Sequence, residues 1–196
     1  HPERYAVYKE QSYTYNDITQ YNRNHLLRED DSVDGLKTGY TSEAGYGLVA
    51  SANRDGMRLI SVVMGSSSTS SRKSETRSLL NYGFRFYETA TPLRGGEELT
   101  QGRVWKGQAP QVALGVTTDV MLTLPRSTAE ITSSVEIDGP LIAPLKAGDV
   151  VGRVILTRAG ESVGEAPLEV LQSVEPAGFF ARLWDTILLW FQQLLG

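Results

Sequence analysis

The sequence contains no cysteine, which excludes thiol chemistry, thiolate metal sites and disulfide stapling. It holds only two histidines, His1 and His25, and neither stands in an H-E-x-x-H or comparable ligand spacing. No metal or other cofactor is expected, and a Ser-His-Asp hydrolase is disfavoured. His25 reads as a loop residue that packs in part. A net charge of −4 without a basic cluster argues against nucleic acid as a partner. No signal peptide is visible; the chain opens on His1 rather than Met, in mid-pattern, so a preceding segment is expected.

What is present describes a globular protein. Hydrophobic residues make up 40% of 196, enough for one large domain or two smaller ones. The opening, Tyr5 to Tyr21, gives only weak strand signals. Leu36–Tyr40, Tyr46–Asn53 and Met57–Gly65 then read as three short strands, the last two joined by Arg54-Asp55-Gly56. Asp-Gly between apolar runs is a hairpin turn, because both central positions must tolerate positive φ. Ser66–Ser71 reads as a loop rich in helix caps. Leu79, Leu80, Gly83, Phe84 and Tyr87 recur at helical spacing, predicting an amphipathic helix over Arg72–Tyr87 that packs on the sheet.

Composition changes after Thr91-Pro92, placing a domain boundary near Thr89–Leu93. Beyond it come short β-rich runs: Gln111–Val116, Val120–Leu124, Ser134–Ile137, Val150–Thr157 and Leu168–Val174. Turn residues punctuate them, as in a small all-β sandwich or barrel. The expected fold class is α+β: an antiparallel sheet with a packed helix, a small all-β domain and a terminal amphipathic helix.

That helix begins at Phe179. Phe179, Phe180, Leu183, Trp184, Ile187, Leu188, Trp190, Phe191, Leu194 and Leu195 are its apolar positions. Arg182, Asp185, Thr186, Gln192 and Gln193 gather on the other side. Its length, about 27 Å, and its polar stripe disfavour crossing a bilayer. Lying in the membrane interface fits better, with attachment resting on apolar burial because only Arg182 is basic. The alternative is a helix docked on a partner subunit or on the protein's own core.

Lys37-Thr38-Gly39 carries the chemistry. At the edge of an antiparallel sheet, its backbone groups can pair with an extended peptide. Gly39 lets a ligand approach closely. Lys37 and Thr38 offer an ammonium and a hydroxyl to a terminal carboxylate. The tripeptide lies in Val33-Asp34-Gly35-Leu36-Lys37-Thr38-Gly39-Tyr40-Thr41, followed by Ala44-Gly45-Tyr46-Gly47-Leu48-Val49-Ala50-Ser51 and by Met57-Arg58-Leu59-Ile60-Ser61-Val62-Val63-Met64-Gly65. With Asn22-Arg23-Asn24-His25-Leu26-Leu27 upstream and Gly83-Phe84-Arg85-Phe86-Tyr87-Glu88-Thr89 downstream, this pattern resembles the low-molecular-mass penicillin-binding proteins, the serine-type D-Ala-D-Ala carboxypeptidases of the cell wall. The β-rich second half and the amphipathic tail resemble that family too.

The resemblance implies the C-terminal part of a penicillin-binding, β-lactamase-like transpeptidase domain over residues 1–91. An all-β domain over 92–176 and a membrane-anchoring helix over 177–196 follow. Lys37, Thr38 and Gly39 would form the catalytic edge, and Lys37, Thr38 and Arg23 would bind substrate; a surface or buried ion pair is the other reading of Arg23. The substrate would be a peptidoglycan pentapeptide ending in D-Ala-D-Ala, and β-lactam antibiotics would inhibit. Phe179, Phe180, Leu183, Trp184, Ile187, Leu188, Trp190 and Phe191 would anchor the chain at the periplasmic face of the bacterial inner membrane. Tyr40 stands where related enzymes often carry His.

In this family the order is Ser-x-x-Lys, Ser-x-Asn, Lys-Thr-Gly, with an acyl-enzyme on the first serine. Two matches occur here, Ser51-Ala52-Asn53 and Ser70-Ser71-Arg72-Lys73, both after Lys-Thr-Gly. Ser51 and Asn53 end a strand before a turn; Ser70 caps a surface helix on which Lys73 would be solvated. Both read as accidental, so the nucleophile is expected upstream of His1. The competing readings are a noncatalytic binding or scaffolding fragment and a β-lactamase-like hydrolase; the β-domain and tail speak against the latter.

Overall fold

A computed structural model describes the backbone of residues 1–195 and the side-chain surroundings of residues 1–191. Two compact units are distinguished: His1–Thr89 with Leu124–Arg126, and Ala90–Thr123 with the chain from Ser127 onward.

The first unit opens with α1 (Pro2–Tyr5), a 3-10 turn over Ala6–Lys9, and a hairpin of β1 (Ser12–Tyr15) and β2 (Ile18–Tyr21). The weak strand signals understate this hairpin. Its turn is made by Asn16 and Asp17 at φ 46° and 59°, residue types that tolerate the left-handed region. Both strands are exposed throughout, so no apolar alternation marks them.

A second 3-10 turn, His25–Arg28, buries Leu26 and Leu27. His25 itself is exposed, a correction to its expected partial packing. The turn is short, and its core contacts are filled by the two leucines.

The sheet β3 (Val33–Thr41), β4 (Gly45–Arg54) and β5 (Met57–Ser66) is antiparallel, in the order β3-β4-β5. Asp55 and Gly56 turn β4 into β5 at φ 50° and 84°, as the dipeptide predicts. Helix α2 (Thr69–Phe86) begins three residues before the expected start. Its cap is Ser68, whose hydroxyl accepts the Ser71 N–H at 3.0 Å, and not Ser70. Arg72, Thr76 and Leu80, spaced by four, are the buried positions of α2. Leu79, expected in the core, is 49% exposed: the buried stripe runs through Arg72, Thr76 and Leu80, and Leu79 stands about 100° around the helix from Leu80. A Cβ at Gly83 would run into Leu59, so the helix packs close there. Leu80 closes a core with Leu26, Leu27, Val33, Leu48, Ala50 and Ala52.

Beside β3, Arg58 reaches Asp34 at 2.8 Å, and the Tyr5 hydroxyl donates to Asp34 at 2.8 Å. Burial pushes the Asp34 carboxyl upward, but the Arg58 and Tyr5 bonds outweigh it and hold it below the ordinary carboxylate range. A depressed pKa contributes stability that is present above the unfolded value, about 3.9, and lost as pH falls through the folded value. Asp34→Asn should therefore flatten the acid limb of stability below about pH 4. Urea midpoints measured against pH check this; an acid limb equal to wild type would mean Asp34 contributes nothing.

In the second half, β6 (Tyr87–Leu93) pairs with the strand Val120–Pro125 in a two-stranded sheet. The remaining strands are β7 (Glu98–Trp105), β8 (Gln111–Gly115), β9 (Val120–Pro125), β10 (Ile131–Ile137), β11 (Leu141–Ile142), β12 (Val150–Arg158) and β13 (Glu161–Val170). Six of them form a sheet ordered β10-β12-β13-β8-β7-β11. The all-β character is as expected, but strand bounds differ; β10, read from Ser134, starts at Ile131. Of the run read as Leu168–Val174, only Leu168–Val170 belongs to β13, which starts at Glu161 because Ala159 and Gly160, at φ 53° and 84°, form a hairpin turn. β7 and the two-residue β11 carry no continuous apolar run, and periodicity passes over them.

Leu114, Val154, Leu156, Leu168 and Val170 are wholly excluded from solvent in this unit. Gly152 faces Ile137 in the β10–β12 pairing, where a Cβ would strike the Glu136 carbonyl oxygen.

Candidate functional site

Lys37-Thr38-Gly39 lies in the second half of β3, an outer strand of its sheet. The register pairs Lys37 with Val49, Thr38 with Leu48, Gly39 with Gly47 and Tyr40 with Tyr46. The opposite side of β3 has no strand among the described residues, so that edge is free to receive one. Gly39 is exposed, and the position a Cβ would take meets nothing within 4 Å. Lys37 is exposed, and its ammonium donates to the Thr38 carbonyl at 2.7 Å. The Tyr40 and Tyr46 rings lie 4.3 Å apart across the ladder.

A cleft of about 530 Å³ follows this edge and gathers Arg23, Lys37, Thr38 and Gly39 with Tyr40, Tyr46, Thr69 and Arg72. All the expected site residues of the first unit thus meet in one place. Arg23 is exposed there and takes part in no ion pair among the described residues. Its segment is held by Asn24, only 2% exposed, which accepts the Leu26 N–H at 3.2 Å and donates to the Gly35 carbonyl at 3.0 Å.

Arg72 was not anticipated. It lies in the run read as a polar helix surface, yet it is only 5% exposed. Its guanidinium donates to the Gly39, Gly47 and Arg23 carbonyls at 3.2, 3.3 and 3.2 Å. No carboxylate pairs with it among the described residues. Burial, and to a lesser degree the charge of Arg23, lower its pKa against an opposing influence of Tyr46. One cation on α2 thus ties β3, β4 and the Arg23 segment together in the cleft wall. An arginine whose partners are main-chain carbonyls leaves no charge pattern in the sequence.

The two reversed-order matches have other roles. The Ser51 hydroxyl is buried and accepts from Arg58 at 2.6 Å. Ser70 is exposed on α2. Lys73 is not freely solvated as expected: it is half-buried and pairs with Glu29 at 2.8 Å, with Arg77 on the same carboxylate.

The tail is helix α3 (Phe179–Leu195). Phe179, Phe180, Leu183, Trp184, Ile187, Trp190 and Phe191 are all exposed. Leu188, expected beside them, is half-buried, and Leu189 is buried. Asp185, expected on the solvated stripe, accepts the Lys106 backbone N–H at 2.5 Å. The helix therefore docks through Asp185, Leu188 and Leu189, leaves Arg182 and Thr186 exposed, and presents its aromatic side outward. The side chains of Gln192, Gln193, Leu194 and Leu195 lie outside the described residues. No described helix is long and apolar enough to cross a membrane.

Residues 1–68 match the family model described as D-alanyl-D-alanine carboxypeptidase. Residues 87–176 match the C-terminal domain of penicillin-binding protein 5. The D-alanyl-D-alanine carboxypeptidase DacC of Escherichia coli is 44% identical over 198 residues, spanning 100% of this chain and 50% of the relative. The crystal structure of penicillin-binding protein 5 from Haemophilus influenzae superposes with a TM-score of 0.82 at 42% identity, over 89% of this chain and 52% of that one. The chain belongs to the penicillin-binding D-alanyl-D-alanine carboxypeptidases. Penicillin-binding protein 6B of Escherichia coli is more distant within the same family, with a TM-score of 0.60 at 33% identity over 85% of this chain and 44% of that one. The chain spans about half the length of the curated relatives it matches. The Lys-Thr-Gly strand and Arg23 lie in the part matched by the peptidase model, Thr69 and Arg72 of the cleft just beyond it, and the six-stranded sheet in the part matched by the C-terminal domain model.

Proposed function

We propose that this chain supplies one wall of the active site of a serine-type DD-carboxypeptidase that removes the terminal D-Ala from peptidoglycan pentapeptides. The observation that carries this reading is the open β3 edge at Lys37-Thr38-Gly39, facing a cleft with three cations and no carboxylate. An extended peptide adds to that edge through main-chain hydrogen bonds. Its terminal carboxylate is received by Lys37 and Thr38, with Arg23 beside them.

The substrate's scissile carbonyl is attacked by a serine lying outside these 196 residues. The peptide C–N bond breaks as the acyl–oxygen bond forms, the leaving D-Ala takes a proton, and water then hydrolyses the ester. β-Lactams, which carry a carboxylate beside a reactive amide, occupy the same cleft. Residues 1–91 are assigned to the catalytic domain, 92–176 to the all-β domain and 177–196 to the anchor. The outward aromatic side of α3 supports peripheral attachment to the periplasmic face of the inner membrane.

Acylation by a fluorescent penicillin tests the assignment of the nucleophile. The 196-residue chain by itself should take no label, whereas the protein carrying an upstream Ser-x-x-Lys and Ser-x-Asn should take one equivalent. A label mapped to Ser51 or Ser70 would overturn the reading.

A further inference from the structure

The root of α3 and its second turn converge on a single residue. Lys106, just after β7, has φ 59°, which turns its peptide groups away from the regular ladder. Its carbonyl accepts the Ala177 N–H at 2.7 Å, and the next pairing outward is Gln108 N–H to the Glu175 carbonyl at 2.8 Å. Its N–H goes to the Asp185 carboxylate. Leu189, one turn beyond Asp185, is buried on the same side.

Apolar contact through Leu188 and Leu189 alone would not fix how the helix is rolled, because burial has no direction. With so much apolar surface on the far side, burial alone would favour turning the aromatic side onto the domain. A charge-assisted bond from a carboxylate to a single amide does have direction. It selects the roll in which Phe179, Leu183, Ile187 and Trp190 face outward.

We propose that Asp185 is a positioning residue that locks α3 to the all-β domain as one rigid body. The domain then meets a lipid surface at a fixed attitude and does not swing from a flexible tether. The lipid part rests on the membrane reading above; the lock does not.

The chain's lack of cysteine allows nitroxides to be placed at Ser134→Cys and Thr186→Cys, both exposed positions. The distance between them is measured by double electron–electron resonance in the full chain. Samples are free and bound to phosphatidylethanolamine–phosphatidylglycerol vesicles, with flotation run in parallel. Wild type should give one narrow distance in both states. Asp185→Ala should broaden it at least threefold while the protein still floats, and Asp185→Asn, which keeps an acceptor oxygen, should fall between. A broad wild-type distribution, or an Asp185→Ala distribution as narrow as wild type, would overturn the lock. A narrow distance that disperses only on vesicles would overturn the fixed attitude. Failure of wild type to float, with the distance still narrow and Asp185-dependent, would defeat the lipid reading and leave the lock standing.

Discussion

Trp184→Glu combined with Phe191→Glu is expected to release the protein from lipid vesicles. Both side chains are exposed on the outward side of α3, at 62% and 49%. A large apolar side chain sunk into the interface contributes about 1.5–3 kcal/mol before ordering costs. Losing two therefore weakens partitioning by roughly a hundred- to ten-thousand-fold, and the introduced charges add to the penalty. Arg182→Gln should change partitioning little, since one arginine contributes only about 1 kcal/mol near an anionic surface. Flotation of the three proteins decides the matter. If the double variant floats like wild type, the aromatic side serves packing or self-association.

The second large effect belongs to the cleft. Lys37→Ala and Thr38→Val should each lower kcat/KM on carboxylate-bearing peptides about ten- to a hundred-fold in the enzyme carrying its nucleophile. A charge-assisted hydrogen bond is worth roughly 1.5–3 kcal/mol, and that range sets the estimate. Steady-state kinetics on a peptide ending in D-Ala-D-Ala, and on its amidated analogue, separate the contribution of the carboxylate. The amide should discriminate poorly between wild type and either variant. Wild-type kinetics in both variants would make the motif incidental.

The cleft and the tail were legible because their signals are local. Asp55-Gly56 dictates its own turn, Lys-Thr-Gly sits at a strand edge, and the aromatic side of α3 repeats at helical spacing. The residues that were missed act at long range on the main chain. Arg72 looks like any arginine of a serine-rich helix start, and its carbonyl partners belong to residues 33 and 25 positions away and to Arg23, 49 positions away. Asp185 looks like a solvated helix residue, and its partner is an amide 79 positions distant. In both cases the partner groups belong to the main chain, which leaves no side-chain signature in the sequence. The β1–β2 hairpin was underread for another reason: without a buried face, its only signature is the Asn16-Asp17 turn.

The uncompensated Arg72 has a consequence for how ligands arrive. The chain as a whole carries −4, so its far field repels an anion. Around the cleft, however, Arg23, Lys37 and Arg72 stand together without an acidic residue. At physiological ionic strength, charges more than about 8 Å apart are largely screened from one another. The remote acids then fade, and an incoming carboxylate is governed by the local cations once it is near. Capture of anionic peptides should thus be a short-range event, with repulsion by the chain's net charge re-emerging only in dilute salt, where the screening length grows to span the molecule.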